Sequence, residues 1–298
     1  MFGLSRGRSF NLLKFLLEIG IIGTTCLTSV QAQVTPGNQP LAPNSNSSAE
    51  QNFQQGNITR AIQQWSRDIK NNNNIVMALF NRSQAYILLK QYNYALQDLN
   101  QLIQIQGKNT PSQVFIIKGV ALSELNQLLE AIQNFNQAEK LESSPGLYNN
   151  RALAYQRSGQ LDKALEDLTK SVQLAPTAIS RLNLANVRLQ IGQFTQVVEE
   201  MNQLIAQEKT FFPSYLARGI AYYNLGQYKS AIQDFVFTLK ISSDQPEAYY
   251  YAGLSFAKLN LKEDAAQNLI RSADLYLQKN ESINYRKVLE KMNELNLQ

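Results

Sequence analysis

Apolar positions recur along most of the chain at spacings of three and four residues, with polar positions between them. This spacing places the apolar side chains on one face of a helix and predicts a series of amphipathic helices. The pattern is also repeated. Similar stretches are NRSQAYILLKQYNYALQDL from Asn81, NRALAYQRSGQLDKALEDL from Asn150 and ARGIAYYNLGQYKSAIQDF from Ala217.

When these stretches are aligned, two columns of small residues appear, with Val197 as one larger member. The first column holds Ala49, Ser83, Gly119, Ala152, Ala185, Gly219 and Gly253. The second holds Ala61, Ala95, Ala131, Ala164, Val197, Ala231 and Ala265, each at the same distance along the chain from its partner in the first. Successive members of the second column are roughly 34 residues apart, and a fixed period in this range indicates a solenoid.

Two further columns define the repeating unit. A column of large apolar residues follows the second small column at a constant offset: Trp65, Leu99, Phe135, Leu168, Met201, Phe235 and Leu269. A turn column lies between the small columns: Gly56, Lys90, Asn126, Gly159, Gly192, Gly226 and Asn260. Glycine and asparagine tolerate the left-handed conformation that ends a helix, so each unit is predicted to be two helices joined by a tight turn.

The small columns have a physical cause. Where two helices approach closely, a large side chain would force strain that costs about 1–3 kcal/mol. The large apolar column fills the adjoining space, and neighbouring units must stack because a single helix pair cannot bury both of its faces. The sequence therefore predicts an all-α solenoid of helix-turn-helix repeats.

The pattern resembles the tetratricopeptide repeat family. The best match runs from Pro145 to Pro176 and includes Tyr148, Ala152, Tyr155, Gly159, Ala164 and Pro176. The resemblance implies a right-handed superhelix with about seven repeats over residues 49–279, the first of them degenerate. Residues 280–298 are predicted to form a capping helix with one apolar side, made by Ile283, Val288, Leu289, Met292 and Leu295. The abundance of Gln and Asn resembles cyanobacterial members of the family.

In this family the first helix of each unit lines a concave groove that binds another protein. The resemblance implies a lining that is apolar and aromatic with a few amides, and we expect about half of these side chains to pack between repeats instead. The predicted groove residues are Phe80, Gln84, Ile87, Ile116, Val120, Asn149, Leu153, Arg157, Leu182, Asn186, Leu216, Ile220, Tyr223, Tyr250 and Leu254. Such a surface suits an extended peptide or a partner helix.

The N-terminal residues differ from the repeats. Residues 1–32 have a basic start, an uncharged and mainly apolar run from Ile19 to Val30, and the small residues Val30 and Ala32 before a candidate cleavage site. This order predicts an export signal. An uncleaved membrane anchor over residues 10–32 is the alternative. Residues 33–48 hold three prolines with Gly, Asn and Ser and are predicted to be an extended linker.

Composition removes several kinds of chemistry. The chain has no histidine, and its one cysteine, Cys26, lies in the predicted signal. We therefore expect no metal site, no cofactor and no catalytic residues, and we expect that the protein is not an enzyme. The formal net charge is +5, and loss of the signal would reduce it to +3 (5 − 3 + 1). No Lys/Arg run accompanies this charge, so a nucleic-acid partner is not expected.

These observations favour an exported scaffold for protein–protein interaction, in a periplasm, a thylakoid lumen or the extracellular space. It would hold an extended peptide or a helix and could serve as an assembly factor. The alternatives are a membrane-tethered assembly factor, if the N-terminal segment is not cleaved, an RNA-binding helical repeat of the pentatricopeptide kind, and an enzyme.

Overall fold

The structure is a computed structural model that describes residues 48–297. This range contains fifteen α-helices and no β-strand. The predicted export signal, residues 1–32, lies outside the described residues. So does the predicted linker, except that Ser48 already begins the first helix.

The helices fall into two compact units, divided between Ile179 and Ser180. The first unit contains α1 (Ser48–Gln54), α2 (Ile58–Lys70), α3 (Ile75–Leu88), α4 (Tyr92–Gln106), α5 (Ser112–Glu124), α6 (Leu128–Leu141), α7 (Pro145–Arg157) and α8 (Leu161–Leu174). A 3₁₀ turn, Gly107–Asn109, follows α4. The helix α9 (Ala178–Gln190) begins just before the division and lies almost wholly in the second unit. It is followed by α10 (Phe194–Gln207), α11 (Phe212–Asn224), α12 (Tyr228–Ile241), α13 (Pro246–Lys258), α14 (Lys262–Gln278) and α15 (Ser282–Glu294).

Left-handed residues end the first helix of each pair, as the turn column predicts. The backbone angle φ is +76° at Gly159, +62° at Asn126 and +56° at Lys90. In each case the residue's amide and the next one donate back to carbonyls of the helix that has just ended, for example Gln160 to Tyr155 at 2.9 Å. These bonds satisfy the carbonyls at the helix end and turn the chain back onto the helix it left.

The two small columns and the large apolar column are buried in both units. Ala152, Ala164 and Leu168 have no exposed surface, and the same holds for Ala231 and Phe235. Within a unit each second helix also packs on the first helix of the next pair. Each unit is therefore a stack of helix pairs, and the predicted all-α solenoid fold is confirmed.

The close approach is tightest where the first small column holds glycine. A Cβ atom placed on Gly219 would lie 2.7 Å from the ring of Phe235, and one on Gly119 would lie 2.7 Å from Phe135. In both pairs the phenylalanine is the large apolar member of the same repeat. In the repeat that holds Ala152 in the first column, the large member is the smaller Leu168. In these repeats the larger ring faces the smaller residue. The matching is not uniform along the chain, because Gly253 faces Leu269 and Ala49 shares its repeat with Trp65.

The last helix, α15, packs on α14 and closes the second unit. Its buried side chains are Val288 and Met292, and Leu295 is partly buried. The apolar side predicted from the sequence is wrong in two members. Ile283 is 76% exposed and Leu289 is 37% exposed, because the buried stripe runs through residues three and four apart from Val288 and leaves both outside it.

Among the helices of residues 48–297, none combines the length and the apolar character needed to cross a membrane.

Candidate functional site

The first helices of successive pairs lie side by side within each unit. In the first unit α3 contacts α5 and α5 contacts α7, and in the second α11 contacts α13. We use the term first-helix face for the surfaces of the first helices: α3, α5 and α7 in one unit, and α9, α11 and α13 in the other. All of the predicted groove residues are on these helices.

Eight of the predicted groove residues are buried in the structure. They are Phe80, Gln84, Ile87, Ile116, Asn149, Ile220, Tyr250 and Leu254. Phe80 is only 1% exposed, and it packs with Leu79, Leu99 and Leu102 in the core between α3 and α4. Side chains buried in this way support the first-helix face by packing beneath it, and they present little surface to a partner.

The remaining predicted residues keep solvent-accessible surface. Val120, Leu153, Leu182, Leu216 and Tyr223 are partly buried, and Arg157 and Asn186 are exposed. Val120 and Leu153 are on the contacting helices α5 and α7, and Leu216 and Tyr223 are both on α11. Burial raises the pKa of Tyr223 above its ordinary value, so its phenol stays neutral at physiological pH.

The C-terminal helix covers one end of the first-helix face in the second unit. Tyr250 and Leu254, both 7% exposed, form a cluster with Val288 and Met292 of α15. The ammonium group of Lys287 also lies 5.4 Å from the centroid of the Tyr250 ring. The capping helix therefore covers these two predicted groove residues. The aligned columns of the repeats could not show this, because α15 lies outside the repeats.

One exposed ion pair crosses the face in the first unit. Arg157, at the end of α7, lies 3.5 Å from Glu124, at the end of α5. The hydroxyl of Tyr92 donates to the same carboxylate at 3.2 Å. Arg157 thus has a partner within the chain. Because the two side chains are 42% and 48% exposed, the pair contributes at most about 1 kcal/mol.

A recurring arginine joins three helices at once, and its partners were not predicted from the sequence. Arg151 on α7 donates to both carboxylate oxygens of Asp167 on α8, and its Nη1 donates to Asn136 Oδ1 on the preceding α6 at 2.8 Å. Arg218 on α11 makes the same set of bonds with Asp234 on α12 and Asn202 on α10.

A third copy of this arrangement lies in the first unit. Arg82 donates to Asp98 at 2.8 and 2.7 Å and to the hydroxyl of Ser66 at 2.8 Å. The arginine and the aspartate have the same sequence separation in all three copies, and it equals the separation between the first small column and the large apolar column. That shared spacing was present in the sequence and could have revealed the pairs. Hydrogen bonds to Asp98 raise the pKa of Arg82.

The described residues hold no group of three or more His, Cys, Asp or Glu side chains arranged to bind a metal ion.

Comparison with known proteins identifies the repeats. Models of the tetratricopeptide repeat match residues 146–177 and 216–276. The chain therefore carries tetratricopeptide repeats in these two segments. The first match covers all but the first residue of the stretch from Pro145 to Pro176, which carries the resemblance in the sequence.

Curated relatives resemble only part of this chain. A TPR repeat-containing protein of Methanocaldococcus jannaschii is 26% identical over 197 residues, which cover 61% of this chain and 34% of that protein. Tetratricopeptide repeat protein 36 of Caenorhabditis elegans is 46% identical over 59 residues, or 20% of this chain and 33% of its own. The chain thus spans about a third of the length of these relatives.

Among solved structures, a tetratricopeptide repeat protein from Parabacteroides merdae covers 81% of this chain and 96% of its own length. Its TM-score is 0.64 and its sequence identity is 16%. At this identity the likeness concerns the fold alone, which is an all-α solenoid of tetratricopeptide type.

Proposed function

We propose that this protein is a scaffold that binds another protein through the first-helix face, as an extended peptide or a helix. The observation that carries the proposal is the partly exposed apolar surface on contacting first helices, with Val120 and Leu153 in the first unit. Leu216 and Tyr223 supply the corresponding surface in the second. Apolar side chains held on rigid helices offer a partner affinity at a low cost in conformational entropy.

The character of the face favours a peptide over a small molecule. Its partly exposed members are aliphatic or aromatic and are spread over several helices, and Asn186 and Arg157 add exposed polar groups. Spread apolar contacts match the alternating anchors of an extended chain or the three- and four-residue anchors of a helix. A partly buried aromatic side chain such as Tyr223 is also typical of the residues that dominate protein interfaces.

A fourfold substitution tests the proposal directly. Val120, Leu153, Leu216 and Tyr223 are each changed to Glu, and partners captured by the tagged protein are compared with those of the wild type by mass spectrometry. None of the four is fully buried, so the fold is expected to persist, which circular dichroism checks. We expect the partners of the wild type to be lost, because four charges would be desolvated on binding.

A matched control places four glutamates on second helices instead. Leu129, Leu174, Val236 and Ile270 are apolar, and their exposed fractions are 71%, 58%, 57% and 47%. Their substitution by Glu adds the same charge away from the first-helix face, and partner binding is expected to survive. If the control loses the partners and the first variant keeps them, binding takes place on the second helices and the proposal is wrong.

We also propose that the protein works in an exported compartment, where it serves the assembly of its partner. The support is the order of basic start, apolar run and small residues in positions 1–32. N-terminal sequencing of the protein from its native cell tests this. A mature chain that begins at Gln33 agrees with export and release, whereas one that begins at Met1 or Phe2 indicates the tethered alternative.

A further inference from the structure

A recess of about 330 Å³ lies in the second unit, where the start of α13 meets the end of α14 and the start of α15. Its volume is in the range of small-ligand pockets. Its wall carries three tyrosines, Tyr250, Tyr251 and Tyr276, together with the carboxylates of Glu247 and Glu281. None of the partly exposed residues of the first-helix face contributes to it.

The tyrosines place aromatic rings on the wall of the recess. The rings of Tyr250 and Tyr251 meet edge to face, with centroids 5.3 Å apart. Burial raises the pKa of Tyr251 to about 12, so its ring remains a neutral phenol. Such rings attract cations to their faces. The wall already shows this preference, because the ammonium group of Lys287 lies over the face of Tyr250.

The charged groups of the recess differ in whether they have hydrogen-bond or ion-pair partners within the chain. Lys279 donates to the carbonyl oxygen of Asp244 at 2.7 Å, and its ammonium lies 3.9 Å from the Asp244 carboxylate. Glu281 accepts a hydrogen bond of 2.7 Å from Asn284. Lys279 and Glu281 therefore each have a partner of their own within the chain.

Glu247 is different. Within residues 48–297 its carboxylate takes part in no hydrogen bond and no ion pair. The Glu247 residue is exposed and lines the recess. Burial raises its pKa; the charge of Lys287 acts in the opposite direction, and the carboxylate of Glu281 adds to the rise. A cation bound in the recess would give the Glu247 carboxylate a partner.

We propose that the recess binds an alkylammonium or guanidinium group, with Glu247 as the acceptor and the tyrosine faces as its walls. The cation comes either from a Lys or Arg side chain of a peptide or from a free organic amine, which present the same chemistry. The ammonium group of Lys287 occupies part of this space and competes with the incoming cation. The proposal does not depend on binding at the first-helix face.

The test is a titration of the full chain with ¹³C-labelled tyrosine rings, followed by NMR. The probes are n-butylammonium chloride, n-butylguanidinium chloride and, as an anion of similar size, sodium butyrate. We expect saturable shifts of a few tyrosine signals with both cations and none with butyrate. Glu247→Gln should weaken cation binding about tenfold or more, since it removes a charge-assisted hydrogen bond.

Two further variants separate binding from folding. Glu290→Gln changes the charge equally at an exposed position of α15 outside the recess, and it should leave the affinity unchanged. Lys287→Met should tighten cation binding, because it removes the competing ammonium, and a gain in affinity cannot come from partial unfolding. The opposite pattern, in which Glu247→Gln tightens and Lys287→Met weakens, would assign the recess to anions. That pattern, or saturation by butyrate alone, overturns the proposal.

A blocked tripeptide, acetyl-Gly-Lys-Gly-amide, distinguishes the two sources of the cation. Tighter binding than n-butylammonium, again sensitive to Glu247→Gln, indicates a peptide side chain, because the backbone then adds contacts. Equal affinity indicates a free amine. The tripeptide and butylammonium titrations do not involve the partner that binds the first-helix face. The recess proposal can therefore fail while the scaffold proposal stands, and the reverse is also true.

Discussion

The guanidinium of Arg151 holds the carboxylate of Asp167 through two parallel hydrogen bonds, 2.7 and 2.9 Å long, and the two side chains are only 7% and 4% exposed. Burial alone would lower the pKa of Arg151, but its bonds to Asp167 and Glu139 raise it above the usual value. The pair connects the two helices of one repeat, and the same arginine reaches Asn136 of the repeat before it. One side chain therefore stabilises both a hairpin and its junction with the neighbour.

Arg151→Met is expected to lower the free energy of unfolding by about 3–5 kcal/mol, because it leaves the buried carboxylate of Asp167 without its partner. Urea unfolding followed by circular dichroism measures the change. Arg151→Met combined with Asp167→Leu should recover much of the loss, since no buried charge then remains. Arg157→Met, which removes only an exposed pair, is the control and should cost less than about 1 kcal/mol. If Arg151→Met and Arg157→Met lowered the free energy of unfolding equally, the buried pair would contribute no more than the exposed one.

Gly219→Ala tests the close approach of α11 and α12. The added methyl group would overlap the ring of Phe235, so we expect a loss of about 1–3 kcal/mol in the free energy of unfolding. The double variant Gly219→Ala with Phe235→Leu reproduces the Ala152–Leu168 combination and should be more stable than Gly219→Ala alone. If Phe235→Leu lowered the stability of the Gly219→Ala variant further, the two residues would not be matched in size. Thermal unfolding of the three proteins distinguishes these outcomes.

Glu139 predicts a dependence of stability on pH. Hydrogen bonds from Arg151 lower the pKa of Glu139 below its ordinary 4.5. A carboxyl group whose folded-state pKa is depressed stabilises the fold above its unfolded pKa, and this contribution is lost as the pH falls through the folded-state pKa. The wild type should therefore be more stable than Glu139→Gln at pH 7, and the difference should shrink below about pH 4.5. Urea unfolding at a series of pH values from neutral to acidic measures it.

Added salt should reduce the same difference at neutral pH, because the Glu139 side chain is 34% exposed and its interaction is partly screened. A gap between wild type and Glu139→Gln that widened on acidification would contradict the assignment.

The cap offers a comparison between two positions of α15. Val288 is 1% exposed and Ile283 is 76% exposed. Val288→Ala should lower the free energy of unfolding by about 2 kcal/mol through lost apolar burial and the cavity left behind. Ile283→Ala should change it by less than about 0.5 kcal/mol. Equal effects at the two sites would mean that α15 presents a different side to α14.

Much of the fold could be predicted because each repeat restates the same constraint. The aligned columns of small residue, turn and large apolar residue fix where the helices end and which side of each is buried. Ala164 and Leu168 are buried for the reason the sequence indicates, and Lys90 takes the left-handed turn despite being neither glycine nor asparagine. At Lys90 the place in the repeat determines the backbone conformation more strongly than the type of residue does.

The candidate site was less predictable, because exposure depends on neighbours that a repeat consensus does not specify. Phe80 and Leu216 occupy equivalent places in their repeats, yet Phe80 is buried and Leu216 keeps accessible surface. Tyr250 is covered by α15, a helix outside the repeat pattern. The recess around Glu247 likewise depends on where α15 begins, and no periodic column contains that information.

The matching of bulk between Gly219 and Phe235, and between Ala152 and Leu168, limits how these repeats could be recombined. Joining the first helix that carries Ala152 to the second helix that carries Phe235 would press a phenyl ring onto a methyl group. Anyone who builds a longer or shorter array from this chain should therefore cut between hairpins and move each one whole.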